Sequence, residues 1–395
     1  MKFFNDNEAF NFETIRALGY ANYLGSSYGE VNEIVKKIDS KSTDSWFNEW
    51  NSMAQLLNKN ASEQIQNNHI ASAYKTLLRV SNYYRSAEFF LDPYDNRRIK
   101  VYLDSVDAFQ KAMRISKYDV SILNIPFDGY YMNGYLFKSK YENAPTLIYV
   151  GGYDSTCEEL YFSGGAEAIE RDYNVLIFDG PGQGGVLRKY DKKTISNYEK
   201  PLAAAIDYLD NYTDININNF IGLMGMSLGG NYVARAAAFE KRINAVIMYD
   251  IFTNPYQSII EKNREVEKLL ALSTKEVLQK IEEKPMIIQW MIKNFLWVFD
   301  GKNISEKVNN LKNMDVSKIS SKIGVPSLLL FGEDDIFVSK QQLDNQVKYM
   351  NSKLVTVRKF DNTFGAQYHC QVGNVNILLS TVFDWLEEVM NNENS

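Results

Sequence analysis

The sequence predicts an α/β protein: a mostly parallel sheet flanked by helices, with an all-helical domain at the N-terminus and a helical cap insertion. Three observations carry this. Short continuous apolar runs alternate with helix-forming segments after residue 118, the pattern of strands buried on both faces. The region before them keeps helical spacing and shows no strand signal. One interval, at about 251–322, interrupts the alternation with helical character alone.

From about Asn11 to Ile115 apolar residues recur at helical spacing, among them Ala73, Leu77, Leu78, Tyr84, Ala87 and Phe90. The Asp92-Pro93 pair ends that helix, because the residue before proline is pushed out of the helical region. This gives a helical domain over 1–117. Near Tyr118 the period changes to two, and VSILNIPF and YYMNGYLF flank Asp128-Gly129 as a hairpin. The strands that follow are TLIYV (146–150), NVLIFD (174–179), FIGLMG (220–225), AVIMYD (245–250), PSLLLFG (326–332) and LVTVRKF (354–360). They belong to a core domain over 118–395, into which the 251–322 cap is inserted.

Composition narrows the function. A 395-residue chain with 45% hydrophobic and 13% aromatic residues is long enough for two domains and buries a large core. A net charge of -6 gives no electrostatic footprint for nucleic acid or an anionic membrane, so a small-molecule substrate is expected. No apolar stretch follows the N-terminal MKFFNDNEAF, and no run reaches spanning length, which points to the cytoplasm. Cys157 and Cys370 are expected as free thiols, and two histidines with two cysteines leave little material for a metal site. No cofactor is expected, and a homodimer is compatible with the sequence.

The sharpest chemical signal is Gly225-Met226-Ser227-Leu228-Gly229, between an apolar strand and the helix-forming NYVARAAAFE. A serine hydroxyl needs presentation and a base before it attacks. Glycines two residues to either side allow the strained turn that lifts Oγ above the sheet edge, as in a nucleophile elbow. Of the two histidines, His69 falls in the helical region, whereas His369 follows the last strand in AQYHCQVG. That is where the chain order nucleophile, acid, histidine puts the base. The segment FGEDD offers Glu333, Asp334 and Asp335; a Gly-x-x-Asp turn counted from Gly332 selects Asp335, with Asp334 as the fallback.

A tetrahedral intermediate also needs donors for its oxyanion. The strand at 146–150 runs into Gly151-Gly152-Tyr153, so the Tyr153 and Leu228 backbone amides are the expected donors, and Gly152, Met226 and Tyr84 are pocket candidates. Gly180-Pro181-Gly182-Gln183-Gly184-Gly185 lacks the dinucleotide fingerprint and reads as a tight loop framing the pocket floor.

Taken in order, GGYDSTCEE, DGPGQGG, GMSLGG, FGEDD and YHCQ resemble the α/β hydrolases that carry an N-terminal helical domain. These include 2,6-dihydroxypseudooxynicotine hydrolase, the fungal yellowish-green pigment hydrolases that shorten polyketides, and the fermentation-respiration switch protein family. SWFNEWNSMA and LLRVSNYYRSAEFFL are similar too, so the resemblance covers nearly the whole chain. It implies a metal-free Ser-His-Asp mechanism acting on a ketone carbon–carbon bond or an ester. It also implies a role for a glutamate near the oxyanion loop, here Glu158 or Glu159 as auxiliary acid. The spacings Ser155 to Glu158 and Thr156 to Glu159 equally suit a capping box.

Three other functions use or forgo the same residues: a prolyl-oligopeptidase-like peptidase, an acyltransferase or cyclase, and a catalytically silent regulatory binding protein. The aromatics Trp46, Phe47, Trp50, Tyr83, Tyr84, Phe89 and Phe90 supply the material for an apolar pocket wall, although packing within the helical domain accounts for most of them.

Overall fold

The computed structural model describes residues 2–350, 353 and 355–393. The chain forms two compact units, 1–120 with 281–294, and 121–280 with 295–395.

The first unit is helical, with helices Glu8–Gly19, Tyr28–Val35, Thr43–Gln66, Ile70–Glu88 and Asn96–Arg114. Asn7, Ser42 and Asp95 cap three of them by accepting backbone N–H groups of the first turn. Its core is aromatic: the Phe10 and Trp46 rings lie 4.5 Å apart, and Trp46 and Trp50 5.5 Å apart. The Trp46 Nε1–H donates to the Ser86 carbonyl at 2.7 Å, which satisfies the one polar atom of that side chain. Tyr84, a pocket candidate from the sequence, is buried in this same aromatic core. His69 is exposed at the start of its helix.

The segment expected as a single cap is divided between the units. Met286, Ile287 and Trp290 pack on the helical core, and Trp290 stacks on Phe89 with centroids 4.9 Å apart and planes at 15°. The apolar run MIIQWM needs an apolar neighbour, and the helical unit supplies one. The other helices of the interval, Pro255–Lys262, Arg264–Leu270, Thr274–Ile281 and Ile304–Lys312, contain no strand, as the sequence indicates.

The second unit is built on eight strands: β1 Asp119–Phe127, β2 Tyr130–Lys138, β3 Thr146–Val150, β4 Asn174–Phe178, β5 Ile221–Met226, β6 Ala245–Tyr249, β7 Ser327–Gly332 and β8 Val355–Phe360. Their order is β1-β2-β4-β3-β5-β6-β7-β8. β2 runs antiparallel to β4, and the pairs from β4 to β8 are parallel. Asp128 and Gly129, both at positive φ, turn β1 into β2. Every residue of β3 to β7 is buried, which is why those strands read as unbroken apolar runs. Leu354, expected to open the last strand, lies outside the described residues.

The order reverses at β3, which has β4 on one side and β5 on the other. Loops leaving the carboxyl ends of strands at such a switch point form a crevice. Among the described residues no helix is long and apolar enough to cross a membrane.

Candidate active site

Ser227 follows β5 at φ 60° and ψ −123°, a strained conformation for a residue with a Cβ. The surrounding glycines make it feasible. A Cβ on Gly225 would overlap the Gly229 carbonyl, and one on Gly229 would come within 2.6 Å of the Gly151 carbonyl oxygen. The Ser227 N–H donates to the Tyr249 carbonyl at 2.7 Å and the Gly230 N–H to the Ser227 carbonyl at 2.8 Å, so the turn is held from both sides.

His369 and Asp335 meet this serine. The His369 Nε2 is 2.8 Å from Ser227 Oγ, and its Nδ1 is 2.6 Å from Asp335 Oδ2. Asp335 is buried while Glu333 and Asp334 are exposed, and the turn after β7 explains the choice. The Asp335 N–H returns to the Gly332 carbonyl at 3.1 Å, and the carboxylate's Oδ1 accepts the Phe337 and Val338 N–H groups at 2.7 and 2.8 Å. One oxygen is thus fixed by backbone and the other is aimed at the imidazole.

Burial disfavours the imidazolium, but the Asp335 charge and hydrogen bond, together with the neighbouring Cys370, outweigh it, so His369 titrates well above the ordinary 6.5. The Phe337 ring meets the imidazole edge-on at 5.0 Å and limits its rotation.

Asp250, which in the sequence only ends the strand AVIMYD, is a further member of the site. It sits just past β6 at φ 55° and is fully buried. Its Oδ2 accepts the Cys370 N–H at 2.5 Å and lies 3.6 Å from His369 Nδ1. Burial, followed by the Asp335 charge, pushes its carboxyl up to about 7. The Tyr249 hydroxyl donates to the Cys370 carbonyl at 2.6 Å, so two consecutive residues at the end of β6 grip the backbone beside the histidine.

The loop after β3 packs on the serine turn. A Cβ on Gly152 would lie 2.8 Å from Ser227 Cβ and 3.0 Å from the Leu228 nitrogen, which places the Gly151–Tyr153 segment directly against the Ser227–Leu228 peptide. Met226 is buried beneath, with the Tyr149 hydroxyl 3.5 Å from its Sδ.

Glu158 and Glu159 are both buried in the short helix Cys157–Leu160. The capping arrangement differs from the expected box. Neither Ser155 nor Thr156 is bonded as a box requires: Thr156 makes no side-chain cap, Ser155 Oγ accepts the Gly152 N–H at 3.0 Å, and the Cys157 N–H donates to Asp179 Oδ1 at 2.8 Å. A carboxylate from β4's end therefore caps the helix, satisfying a donor that local residues leave to it. Glu158 accepts a hydrogen bond from the Tyr135 hydroxyl at 2.8 Å, and burial, then the Asp179 charge, pushes it up to about 7.

Among the described residues two groups bring three potential ligand atoms within 4.8 Å of one another, Asp250-His369-Cys370 and Cys157-Glu158-Asp179. Neither suits a metal. In the first, both ring nitrogens of His369 are engaged by Asp335 and Ser227. In the second, burial and the neighbouring carboxylates raise the Cys157 thiol well above its ordinary range, the opposite of what a thiolate ligand requires. Both cysteines are free and buried.

The family model described as "Esterase FrsA-like" matches residues 30–271. Hydrolyase ccsE of Aspergillus clavatus is 32% identical over 272 residues, which span 64% of this chain and 62% of that protein. Hydrolase LUC6 of a Fusarium species is 27% identical over 403 residues, 96% of each chain. The crystal structure of 2,6-dihydroxy-pseudo-oxynicotine hydrolase superposes with a TM-score of 0.74 at 24% identity, covering 94% of this chain and 95% of that one, and so shares its fold.

Proposed function

Because the chain belongs to the FrsA-like esterase family and is an α/β hydrolase, we propose that it is a serine hydrolase using Ser227, His369 and Asp335 to cleave an ester or a ketone carbon–carbon bond. The substrate is a medium-sized small molecule of aromatic or polyketide-like character. The single observation that carries the mechanism is the unbroken chain Ser227 Oγ, His369 Nε2, His369 Nδ1, Asp335 Oδ2, with contacts of 2.8 and 2.6 Å. The substrate class rests on the family resemblance and on the similarity to a hydrolase named for an oxynicotine substrate.

In this reading Ser227 Oγ attacks the substrate carbonyl while its proton passes to His369 Nε2, and Asp335 stabilises the resulting imidazolium. The carbonyl π electrons move onto oxygen, and the Tyr153 and Leu228 amides donate hydrogen bonds to the oxyanion so formed. Collapse expels the leaving group, protonated by the imidazolium when it is an alkoxide. Water, deprotonated by the restored imidazole, then releases the acid from the acyl-serine. A carbon leaving group is a stronger base and needs a proton delivered at carbon, the role assigned to a glutamate of the 158–159 pair; on that path the imidazolium proton then passes through solvent to the glutamate carboxylate, which restores both the acid and the neutral imidazole that deacylation uses.

The test is turnover on a panel of β-diketones, aryl esters and lactones, with Ser227→Ala alongside. Wild-type protein should hydrolyse at least one class, and Ser227→Ala should lose roughly three to six orders of magnitude. Turnover undiminished in Ser227→Ala would contradict the mechanism.

A further inference from the structure

Gln183 stands in the glycine-rich loop after β4, and no step of the triad chemistry uses it. Its side chain is 2% exposed and fully bonded. Nε2 donates to the Gly151 carbonyl at 2.6 Å and the Gly152 carbonyl at 3.1 Å. Oε1 accepts the Gly180 N–H at 2.9 Å and the Tyr198 hydroxyl at 2.7 Å. The partners fix which end of the amide is which, because two carbonyls can only accept and the Gly180 N–H can only donate.

The loop is shaped around this residue. A Cβ on Gly180 would overlap the Tyr198 hydroxyl, and one on Gly182, at φ 83°, would come within 2.6 Å of Thr194 Cβ. Tyr198 is in turn held by face-to-face stacking on Tyr232 at 3.6 Å. The Gln183 amide therefore has little freedom to move.

What it grips is the turn that leads into the oxyanion position. In a planar trans peptide the carbonyl of one residue and the N–H of the next point in opposite directions. Holding the Gly152 carbonyl consequently fixes the direction of the Tyr153 N–H. Holding the Gly151 carbonyl fixes the Gly152 N–H, which donates to Ser155 Oγ at 3.0 Å. Two adjacent glycines are conformationally permissive, so without a clamp these peptides have more room to rotate than other residues would allow.

We propose that Gln183 is the positioning residue of the oxyanion hole: by clamping the Gly151 and Gly152 carbonyls it holds the Tyr153 amide toward the oxygen that gains charge. This rests on the oxyanion role proposed above for Tyr153. Donors fixed before reaction need no reorganisation in the transition state, so loosening one lowers turnover while substrate affinity stays.

The experiment uses Gln183→Leu, Tyr198→Phe and Ser227→Ala in the full-length protein, a nitrophenyl ester found to be a substrate, and an aryl trifluoromethyl ketone. Ser227 Oγ adds to that ketone's carbonyl, forming a C–O bond; the π pair moves to oxygen and the serine proton to His369, leaving a stable oxyanion adduct. Gln183→Leu should lower kcat about 10- to 100-fold, leave KM within about threefold, and weaken the ketone by a factor similar to the loss in kcat. The pH at which activity rises should stay unchanged, because the Ser227-His369-Asp335 contacts are untouched. Tyr198→Phe, which removes one bond to Gln183 and keeps both carbonyl contacts, should weaken the ketone about two- to fivefold, and it decides the matter if Gln183→Leu does not fold. Unchanged kcat and ketone affinity in a folded Gln183→Leu, or unchanged ketone affinity in Tyr198→Phe when only that variant folds, would overturn the proposal. Full activity in Ser227→Ala would instead overturn the serine mechanism beneath it.

Discussion

The Oδ2 atom of Asp250 lies 3.6 Å from the Nδ1 atom of His369, so the imidazole edge that Asp335 holds at 2.6 Å faces two carboxylates. Only one of them is well placed to accept the Nδ1 proton in a short hydrogen bond. The other binds the adjacent backbone through the Cys370 N–H and adds a negative charge once it ionises, its carboxyl being pushed up to about 7 by burial and then by Asp335.

The pH dependence follows in sign. The base must be neutral to accept a proton, so kcat/KM rises with pH through the His369 pKa. Asp335 holds that pKa well above 6.5, which places the midpoint of the rise above 6.5. Asp335→Asn should shift the midpoint down and lower kcat by about three to four orders of magnitude. Asp334→Asn, on an exposed side chain, should do neither. The double variant Asp335→Asn/Asp250→Asn should fall about tenfold further, because it removes the remaining carboxylate near Nδ1. Equal rates for the double variant and Asp335→Asn would leave Asp250 with a purely structural duty.

Gly152→Ala should be severe. The added Cβ would lie 2.8 Å from both the Met226 carbonyl oxygen and Ser227 Cβ, and 3.0 Å from the Leu228 nitrogen. These are atoms of a turn that is itself tightly built, so the Gly151–Tyr153 loop has to move away from the serine. Steady-state kinetics should show kcat down by about 100-fold or more, the scale of losing an oxyanion donor. A loss below about threefold would show that the turn accommodates the methyl group and that this close approach carries no catalytic weight.

Glu158 offers a test that separates protonation from packing. Its pKa is raised from 4.5 to about 7, so between those values the folded protein binds a proton that the unfolded chain releases. Stability from this group is therefore present at low pH and lost as pH rises through that window. Glu158→Gln, which stays neutral, should gain in Tm relative to wild type as pH goes from 4.5 to 7.5. A pH-independent difference would contradict the raised pKa. If Glu158 rather than Glu159 supplies the proton for carbon–carbon cleavage, Glu158→Gln should damage ketone cleavage far more than nitrophenyl ester hydrolysis, and Glu159→Gln should damage both about equally.

In the helical unit, Trp46→Ala removes a side chain that is 0% exposed and packed against Phe10, Trp50 and Phe90. Denaturant melts followed by circular dichroism should show a loss of about 3–5 kcal/mol for the transition of this unit. A loss below about 1 kcal/mol would mean that the aromatic cluster repacks.

What could be read from the sequence divides along physical lines. Ser227, Asp335 and His369 are legible because each stands in a local pattern, a glycine-flanked strand end, a Gly-x-x-Asp turn and a histidine after the last strand. The strands β3 to β7 are legible because burial on both faces leaves no polar alternation to interpret. Asp250 is not, since a strand-terminal aspartate has no motif and its partner backbone is 120 residues away. Gln183 is not legible for the same reason: it grips carbonyls, which carry no sequence signature. Residues 281–294 read as cap because helical periodicity marks an apolar face without saying which core receives it.

The most direct test of the central claim is intact-mass analysis after treatment with a fluorophosphonate, followed by peptide mapping. The phosphorus is attacked by the activated serine with loss of fluoride, so wild-type protein should gain one adduct per chain, located on Ser227. Labelling should vanish in Ser227→Ala and slow by about 10³-fold or more in His369→Ala. An adduct on another residue, or undiminished labelling of Ser227→Ala, would contradict the assignment of Ser227 as nucleophile.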